Sequence, residues 1–172
     1  MGSQKELHYS SLDWGDDEVE GLGAVLPSCA AATRLHLSGN GAITALPEGL
    51  GCVRKLRALF LHGCTALRTL PESIGECKHL QTLFLIGCAS VEALPESLSA
   101  LQQLQQLDLT RCVSLRGLPE GLAECRRLHA LLLTGCESLE GLPVRLPPLC
   151  GLYLTGCTRL VALPERLTTA PP

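Results

Sequence analysis

Cysteines are the residues of this sequence best able to do chemistry, because thiolates bind metals, form disulfides and act as nucleophiles. The chain has 10 of them. It contains no Cys-x-x-Cys pair, so it lacks the signature of zinc ribbons and of thioredoxin-like redox sites. Four thiols instead follow one another at intervals of 24 residues, which indicates that they repeat with the structure of the chain: Cys64, Cys88, Cys112 and Cys136.

If each repeat contributes an equivalent strand to one sheet, the four thiols lie in one column. Neighbouring thiols would then be about 4.8 Å apart with parallel side chains. A disulfide needs converging Cβ atoms about 3.8 Å apart, so we expect the column to stay reduced and to have a structural role. A second column of Cys29, Cys77 and Cys125 is also expected to be buried. Cys52 and Cys150 fall outside both columns and are predicted to be exposed.

Three histidines, His8, His36 and His62, form the other group that could bind a metal or transfer protons. Their spacing along the predicted strands is loose, and no carboxylate is expected to converge on them. We therefore predict no metal site and no cofactor, and a polar role at the rim of a binding surface for these side chains. Glycine-rich phosphate loops, nucleophile elbows and HExxH motifs are also absent from the sequence, which favours a non-enzymatic protein.

The element that must position all these residues is a repeat. Segments that begin at Leu56, Leu80 and Leu104 read LRALFLHGCTALRTLPESIGECKH, LQTLFLIGCASVEALPESLSALQQ and LQQLDLTRCVSLRGLPEGLAECRR. A fourth segment, from Leu128, is three residues shorter, and residues 32–55 and 149–167 match again. The shared pattern LxxLxLxxCxxLxxLPxxL resembles the leucine-rich repeat family in its form of about 24 residues.

This resemblance implies an α/β solenoid, a right-handed superhelix with one parallel sheet on its concave face and short 3₁₀ or extended segments on its convex face. Seven strands are expected, one for each unit. Residues 1–5 are predicted to be a tag-like or disordered N-terminus, 6–31 a divergent capping repeat similar to ribonuclease-inhibitor-like repeats, 32–167 six leucine-rich repeats, and 168–172 a disordered tail. In the cap, Asp16 or Asp17 is expected to cap a helix near residues 17–26, and Trp14 to cover the end of the core.

Two repeated positions have a structural interpretation. The proline of each repeat, such as Pro71, suits the first turn of a short helix, and the glutamate after it, such as Glu72, is expected to face the positive end of its own turn rather than a cation. Asn40 replaces the column cysteine in the first full repeat. The resemblance implies that Asn40 hydrogen-bonds backbone groups of the turn in which it lies.

Alternate residues of each Leu-x-Leu strand must face away from the core. The chain has 2 Phe and 2 Tyr residues. Three of these four side chains fall at the central outward position, a concentration that core packing does not explain. Exposed aromatic side chains on a rigid scaffold are typical of protein-binding hot spots. We therefore predict a ligand-binding concave face in which the two phenylalanines lie in water and Asp108 and Arg111 form a charged rim, built from His36, Phe60, His62, Phe84, Ile86, Asp108, Thr110, Arg111, Leu132 and Tyr153.

Charge and hydropathy exclude other partners. The formal net charge is -3, so no basic surface is expected to bind nucleic acid. No apolar stretch is long enough to cross a bilayer, and the N-terminus lacks the apolar region of a signal peptide. We predict a cytoplasmic protein–protein interaction module with a protein or peptide ligand and no membrane contact.

Two alternatives stay open. A structural, self-associating solenoid would form a homodimer through the concave face or through the C-terminal edge, where Leu160, Leu163 and Leu167 lack a covering repeat. The chain would otherwise be the recognition domain of a larger multidomain signalling, immune-receptor or ubiquitin-ligase protein, because leucine-rich repeats occur fused to catalytic domains. Residues 142–154 resemble the repeats of bacterial ligase effectors, whereas the other repeats do not.

Overall fold

The computed structural model describes residues 5–164, and its elements recur with the period of the sequence. Helix α1 (Asp16–Val25) follows the first strand, and 3₁₀ helices span Leu26–Cys29, Glu48–Cys52, Glu72–Glu76, Glu96–Ala100 and Glu120–Glu124. Seven strands form one parallel sheet in chain order, which confirms the predicted α/β solenoid. They are β1 (Glu6–His8), β2 (Arg34–His36), β3 (Ala58–Phe60), β4 (Thr82–Phe84), β5 (Gln106–Asp108), β6 (Ala130–Leu132) and β7 (Gly151–Tyr153).

Neighbouring strands pair so that the same repeat position is always adjacent. Leu35 pairs with Leu59, and Leu59 with Leu83, and all three side chains are buried. The residues on either side of these leucines point to the opposite face of the sheet. Each position of the repeat therefore forms a continuous column across the sheet, either in the core or on the open face.

The thiol column lies in the core and links successive repeats. Sγ of Cys88 donates a hydrogen bond to the Leu61 carbonyl at 3.1 Å, and the other members make the equivalent contact. Burial raises the pKa of Cys88 to about 12. All 10 cysteines are free, as predicted for the columns, and Cys52 and Cys150 are exposed, also as predicted.

The second thiol column is buried only in part. Cys77 and Cys125 are fully buried, and each donates to a carbonyl of the preceding repeat. Cys29 is half-buried, so the prediction was wrong for this residue. Among residues 5–164, the Cys29 thiol has no hydrogen bond to a carbonyl of a preceding unit like those made by Cys77 and Cys125.

Asn40 binds the N-terminal unit to the first full repeat. Its Oδ1 accepts the backbone N–H groups of Leu12 at 3.0 Å and Trp14 at 3.2 Å. Its Nδ2 donates to the carbonyls of Tyr9 at 2.7 Å and Leu37 at 2.8 Å. Only the bond to Leu37 lies in its own turn, so Asn40 also satisfies three backbone groups of the preceding unit. A thiol, with a single donor, cannot replace it there.

Helix α1 begins differently from the prediction. Gly15, not Asp16 or Asp17, is the N-cap, and its N–H donates to Glu18 Oε2 at 2.8 Å. The Asp16 carboxylate instead accepts the Thr44 Oγ1–H at 2.6 Å and the Thr44 N–H at 2.7 Å. These hydrogen bonds, that from the hydroxyl first, lower the pKa of Asp16. The helix start is therefore joined to the next repeat by a side chain that sequence reasoning assigned to the helix itself.

Trp14 is half-buried against the end of the core, in the position expected from the sequence. Its ring stacks on that of Tyr9 with centroids 4.8 Å apart. The pair closes the first unit beside the loop that Asn40 holds.

The glutamates of the convex side face the next repeat rather than their own turn, which corrects the sequence interpretation. Glu48 Oε2 accepts the Ser73 N–H at 3.0 Å, and Glu72 Oε2 accepts the Ser97 N–H at 3.2 Å. Because these N–H groups lie in the first turn of the following 3₁₀ helix, the carboxylates join neighbouring turns.

Packing weakens toward the C-terminal edge. Leu152, Leu154 and Leu160 are only half-buried, and Leu163 is 46% exposed. Leu167 and the predicted tail at 168–172 lie outside the described residues. Over residues 5–164, no helix has the length and apolar character needed to cross a bilayer.

Candidate functional site

The central column of the open sheet face carries four stacked rings, which we call the aromatic ladder: His8, His36, Phe60 and Phe84. The sheet register places His8 beside His36, His36 beside Phe60, and Phe60 beside Phe84. Ring centroids are 4.3 Å apart between the two histidines, 4.3 Å between His36 and Phe60, and 5.4 Å between the phenylalanines. The rings follow one another because in-register parallel strands bring equivalent side chains within van der Waals contact.

His62 lies beside the aromatic ladder, on the flanking column. Its ring meets Phe60 edge-on at 6.1 Å and Phe84 edge-on at 5.6 Å. The Nε2 atom of His62 is buried and has no hydrogen-bond partner. His62 thus contributes apolar contact to the ladder rather than the polar rim that the sequence predicted.

His36 lies between the imidazole of His8 and the phenyl ring of Phe60, and its Nε2 is likewise buried without a partner. Desolvation by burial lowers the pKa of His36, and the nearby His8, Arg34 and His62 lower it further. The neutral imidazole is therefore the favoured form. The His36 ring is thus part of the aromatic ladder and does not form a separate polar rim.

The two phenylalanines are half-buried, not fully in water as the sequence predicted. Each ring is covered on one side or both by its neighbours in the ladder, which the pattern of alternation alone cannot show. Their remaining exposed edges, with half-buried Ile86 on the flanking column, still form a continuous apolar surface on the open face.

Asp108 ends the ladder next to Phe84 and is only 7% exposed. Its Oδ1 accepts the backbone N–H of Thr110 at 3.0 Å. No ion pair joins Asp108 to Arg111 within the described part of the chain, so the expected charged rim between them is not formed. The carboxylate turns toward its own strand end because a backbone N–H is available two residues away.

Arg111 is exposed and has φ of 62°, a left-handed conformation that costs a residue with a Cβ about 1–2 kcal/mol. Glycine occupies the same repeat position at Gly63, Gly87 and Gly135, all with positive φ. Arg111 therefore adopts the backbone conformation of the turn that follows each strand, at a position where the other repeats have glycine.

The other predicted residues continue along the same face. Thr110 and Leu132 are half-buried, whereas Tyr153 is 54% exposed. The Tyr153 ring lies over Gly151, where an added Cβ would stand only 2.9 Å from ring atom Cε2. The sheet register places Phe60, Phe84, Asp108, Leu132 and Tyr153 in one column with His36, and Arg111 lies in the turn that follows β5.

A carboxylate does converge on the histidines at the N-terminal end of the ladder, contrary to the sequence interpretation. Glu6 Oε2 lies 3.3 Å from His8 Nε2, and Glu6 Oε1 accepts a hydrogen bond from Arg34 Nη1 at 2.7 Å. One ligand atom each of Glu6, His8 and His36 lies within 4.8 Å of the other two. Two signals were available in the sequence: Glu6 and His8 are two residues apart on one strand, and Arg34 and His36 repeat that spacing on the next.

Solved structures with this geometry are leucine-rich repeat proteins. The leucine-rich repeat domain of the type III effector XopL matches with a TM-score of 0.64 and 27% identity, covering 86% of this chain and 60% of that one. A leucine-rich repeat protein of Leptospira interrogans matches with a TM-score of 0.54 and 25% identity, covering 76% of this chain and 39% of that one. This chain therefore spans less than two thirds of either. No protein-family model matches the sequence, and no curated protein does.

The repeat spacing, the in-register parallel sheet and these neighbours define the class of fold: the chain has the leucine-rich repeat fold. Its fold is that of an interaction module, in which a rigid sheet presents variable side chains on one face.

Proposed function

We propose that this chain is a non-catalytic recognition module that binds a protein or peptide segment across the open face of its sheet. The observation that carries the proposal is the aromatic ladder with Ile86 beside it. Two phenyl rings and a branched aliphatic side chain present apolar edges on a face that the fold does not use for its own core. Apolar groups with few rotors to freeze are the side chains that dominate protein-binding energy.

The chemistry of the face favours an apolar or aromatic segment of the partner over a charged one. Asp108 is turned inward and Glu6 is paired with Arg34, so the central column presents little free charge. The exposed Arg111, in the turn that follows β5, supplies a cation near the end of that strand. We infer a partner that places one or two apolar side chains on the phenylalanines and an acceptor near Arg111.

The free cysteines support a proposal about the cellular compartment in which the module acts. Ten free cysteines, several of them in closely spaced columns, suit a reducing environment, so we propose that the module acts in the cytoplasm. Neither nucleic acid nor a membrane is proposed as a partner. The module would serve as the recognition domain of a larger signalling, immune-receptor or ubiquitin-ligase protein. The leucine-rich repeat domain of XopL, which it resembles, is likewise one domain of an effector.

The proposal is tested by affinity capture followed by binding measurements on the captured partner after purification. Phe60→Ala/Phe84→Ala is compared with Leu12→Ala/Val25→Ala, a matched pair that removes exposed apolar groups outside both the ladder and the C-terminal edge. Loss of about 2 kcal/mol or more with the first pair only is expected if the phenylalanines are hot spots. Unchanged affinity in the folded ladder variant, verified by circular dichroism, would contradict the proposal.

Self-association is the second candidate, favoured by the C-terminal edge. Val161 is 88% exposed and Leu163 46% exposed, and with Val144 they line a cavity of 550 Å³. A second copy seated on this edge would remove these side chains from water. Light scattering of the wild type against Leu163→Lys separates the two cases, since a dimer through this edge would dissociate in the variant whereas a monomeric binder would be unchanged.

A further inference from the structure

We propose that Glu6, His8 and His36 form a binding site for a divalent transition-metal ion of the Zn²⁺ class at the N-terminal end of the aromatic ladder. The three side chains come from two adjacent strands, and one ligand atom of each lies within 4.8 Å of the other two. His8 and His36 belong to the aromatic ladder, but the phenylalanines tested for recognition are not ligands, so failure of either proposal leaves the other standing.

The donor set selects the class of ion. Two imidazole nitrogens and one carboxylate oxygen suit Zn²⁺ and its neighbours, whereas Mg²⁺ and Ca²⁺ require oxygen ligands. Three protein ligands around a tetrahedral ion leave the fourth position to water or to a donor from outside.

Closing the site requires His8 to tilt out of its stack on His36, because the in-plane nitrogen lone pairs of two nearly parallel rings do not converge on one ion. Ligands about 2.0–2.1 Å from a tetrahedral ion are about 3.3 Å apart, so the cluster must contract by roughly 1.5 Å. The side chains of His8 and Glu6 are 62% and 40% exposed, so solvent gives them room to turn once His8 leaves its stack on His36. His36 is held by its stacking on Phe60 and gives the site one fixed ligand.

Arg34 both helps and opposes the ion. It donates to Glu6 Oε1 at 2.7 Å and so leaves Oε2 directed toward His8, 3.3 Å away. Its charge lies close to the site and weakens the attraction for a second cation. We therefore expect an affinity in the micromolar range, with Glu6 binding through one oxygen.

The test uses the full chain carrying Cys52→Ser and Cys150→Ser, which removes the two exposed thiols that would also bind the ion. Isothermal titration with Zn²⁺ near neutral pH is expected to show one site per chain. His8→Asn and Glu6→Gln should each weaken it at least about ten-fold. His79→Asn, which removes an exposed histidine far along the chain from the cluster, is the matched control and should bind as before.

Two further readouts keep the result decisive if a variant alters β1. Cu²⁺ bound to the Cys52→Ser/Cys150→Ser protein should show hyperfine coupling to two nitrogens, and Zn²⁺, but not Mg²⁺, should raise the melting temperature of that protein by joining β1 to β2. A coupling pattern from one nitrogen or none, no binding in the Cys52→Ser/Cys150→Ser protein, or equal affinity in folded His8→Asn would each overturn the proposal and show adventitious binding only.

Discussion

The imidazole of His36 lies parallel to the phenyl ring of Phe60, with centroids 4.3 Å apart and planes 8° apart. Because Phe60 also contacts Phe84 and His62, a residue on the open face supports its neighbours as well as any partner. This double role sets the first prediction.

Phe60→Ala should lower the free energy of unfolding by about 1–2 kcal/mol, since each aromatic pair contributes about 0.5–1.5 kcal/mol. Leu59→Ala, which opens a cavity in the core next to it, should cost about 2–5 kcal/mol. Urea denaturation of both variants measures the difference. Equal costs would show that the face assigned to Phe60 belongs to the core.

Asn40→Ala should be among the most damaging polar substitutions in the chain. It leaves the N–H groups of Leu12 and Trp14 and the carbonyls of Tyr9 and Leu37 without their partner. At about 1–3 kcal/mol for each buried group left unpaired, and with relaxation of some, we expect a loss of about 3–5 kcal/mol.

The matched control is Cys88→Ala, which removes one thiol hydrogen bond and a small volume and should cost less. Hydrogen exchange gives the second measurement for Asn40→Ala. Amides of residues 9–14 should exchange faster while those of β4 and β5 keep their protection. Uniform loss of protection would mean that Asn40 supports the whole solenoid rather than its first unit.

Arg111→Gly should stabilise the protein by about 1 kcal/mol, because glycine adopts the left-handed conformation without strain. Thermal denaturation measures the gain, and Arg116→Gly, at another exposed arginine, should bring none. If Arg111 is retained for binding, the same variant should lose affinity for the partner. A destabilised Arg111→Gly would mean that the side chain makes a packing contribution that outweighs its strain.

Native thiol labelling near neutral pH should modify Cys52 and Cys150 promptly, because they are exposed. The column thiols should remain unmodified, since burial hides them and raises the pKa of Cys88 and Cys136 to about 12. Mass spectrometry of the labelled peptides distinguishes the two groups. Labelling of Cys88 at the rate of Cys52 would contradict the assigned core.

Alkaline pH should destabilise the protein through these same thiols. Burial raises the pKa of Cys88 and Cys136 from 9.0 to about 12, so the folded state keeps protons that the unfolded state releases. The stabilisation is complete below pH 9 and is lost progressively as the pH rises toward 12. Denaturation midpoints should fall over this window, and a Cys88→Ala/Cys136→Ala variant should show a shallower fall despite its lower starting stability.

The fold was predictable because the leucines recur with the repeat and each equivalent leucine occupies the same position in the core. The position of Leu59 in the core and Phe60 on the open face followed from alternation alone. The burial of Asp108 did not, because it depends on a hydrogen bond to the Thr110 N–H that only a folded strand end offers.

The N-terminal contacts escaped sequence analysis for a related reason. Glu6 and Arg34 are adjacent in register and 28 residues apart, a register that Leu7 and Leu35 indicate, but which polar side chains meet across it depends on rotamers that a repeat pattern does not give. Three of the four hydrogen bonds of Asn40 likewise reach into a segment with no repeat pattern. A repeat pattern predicts only the contacts that recur in every repeat, and each of these contacts occurs once.

The alternation of core and surface within three-residue strands has an evolutionary consequence. In β3, Leu59 belongs to the core and Phe60 to the open face, although they are neighbours in the chain. A codon change at one position can therefore alter recognition while the next codon preserves the fold. Because each strand contributes only one residue to the central column, specificity can change one step at a time along the solenoid, with every intermediate protein still able to fold.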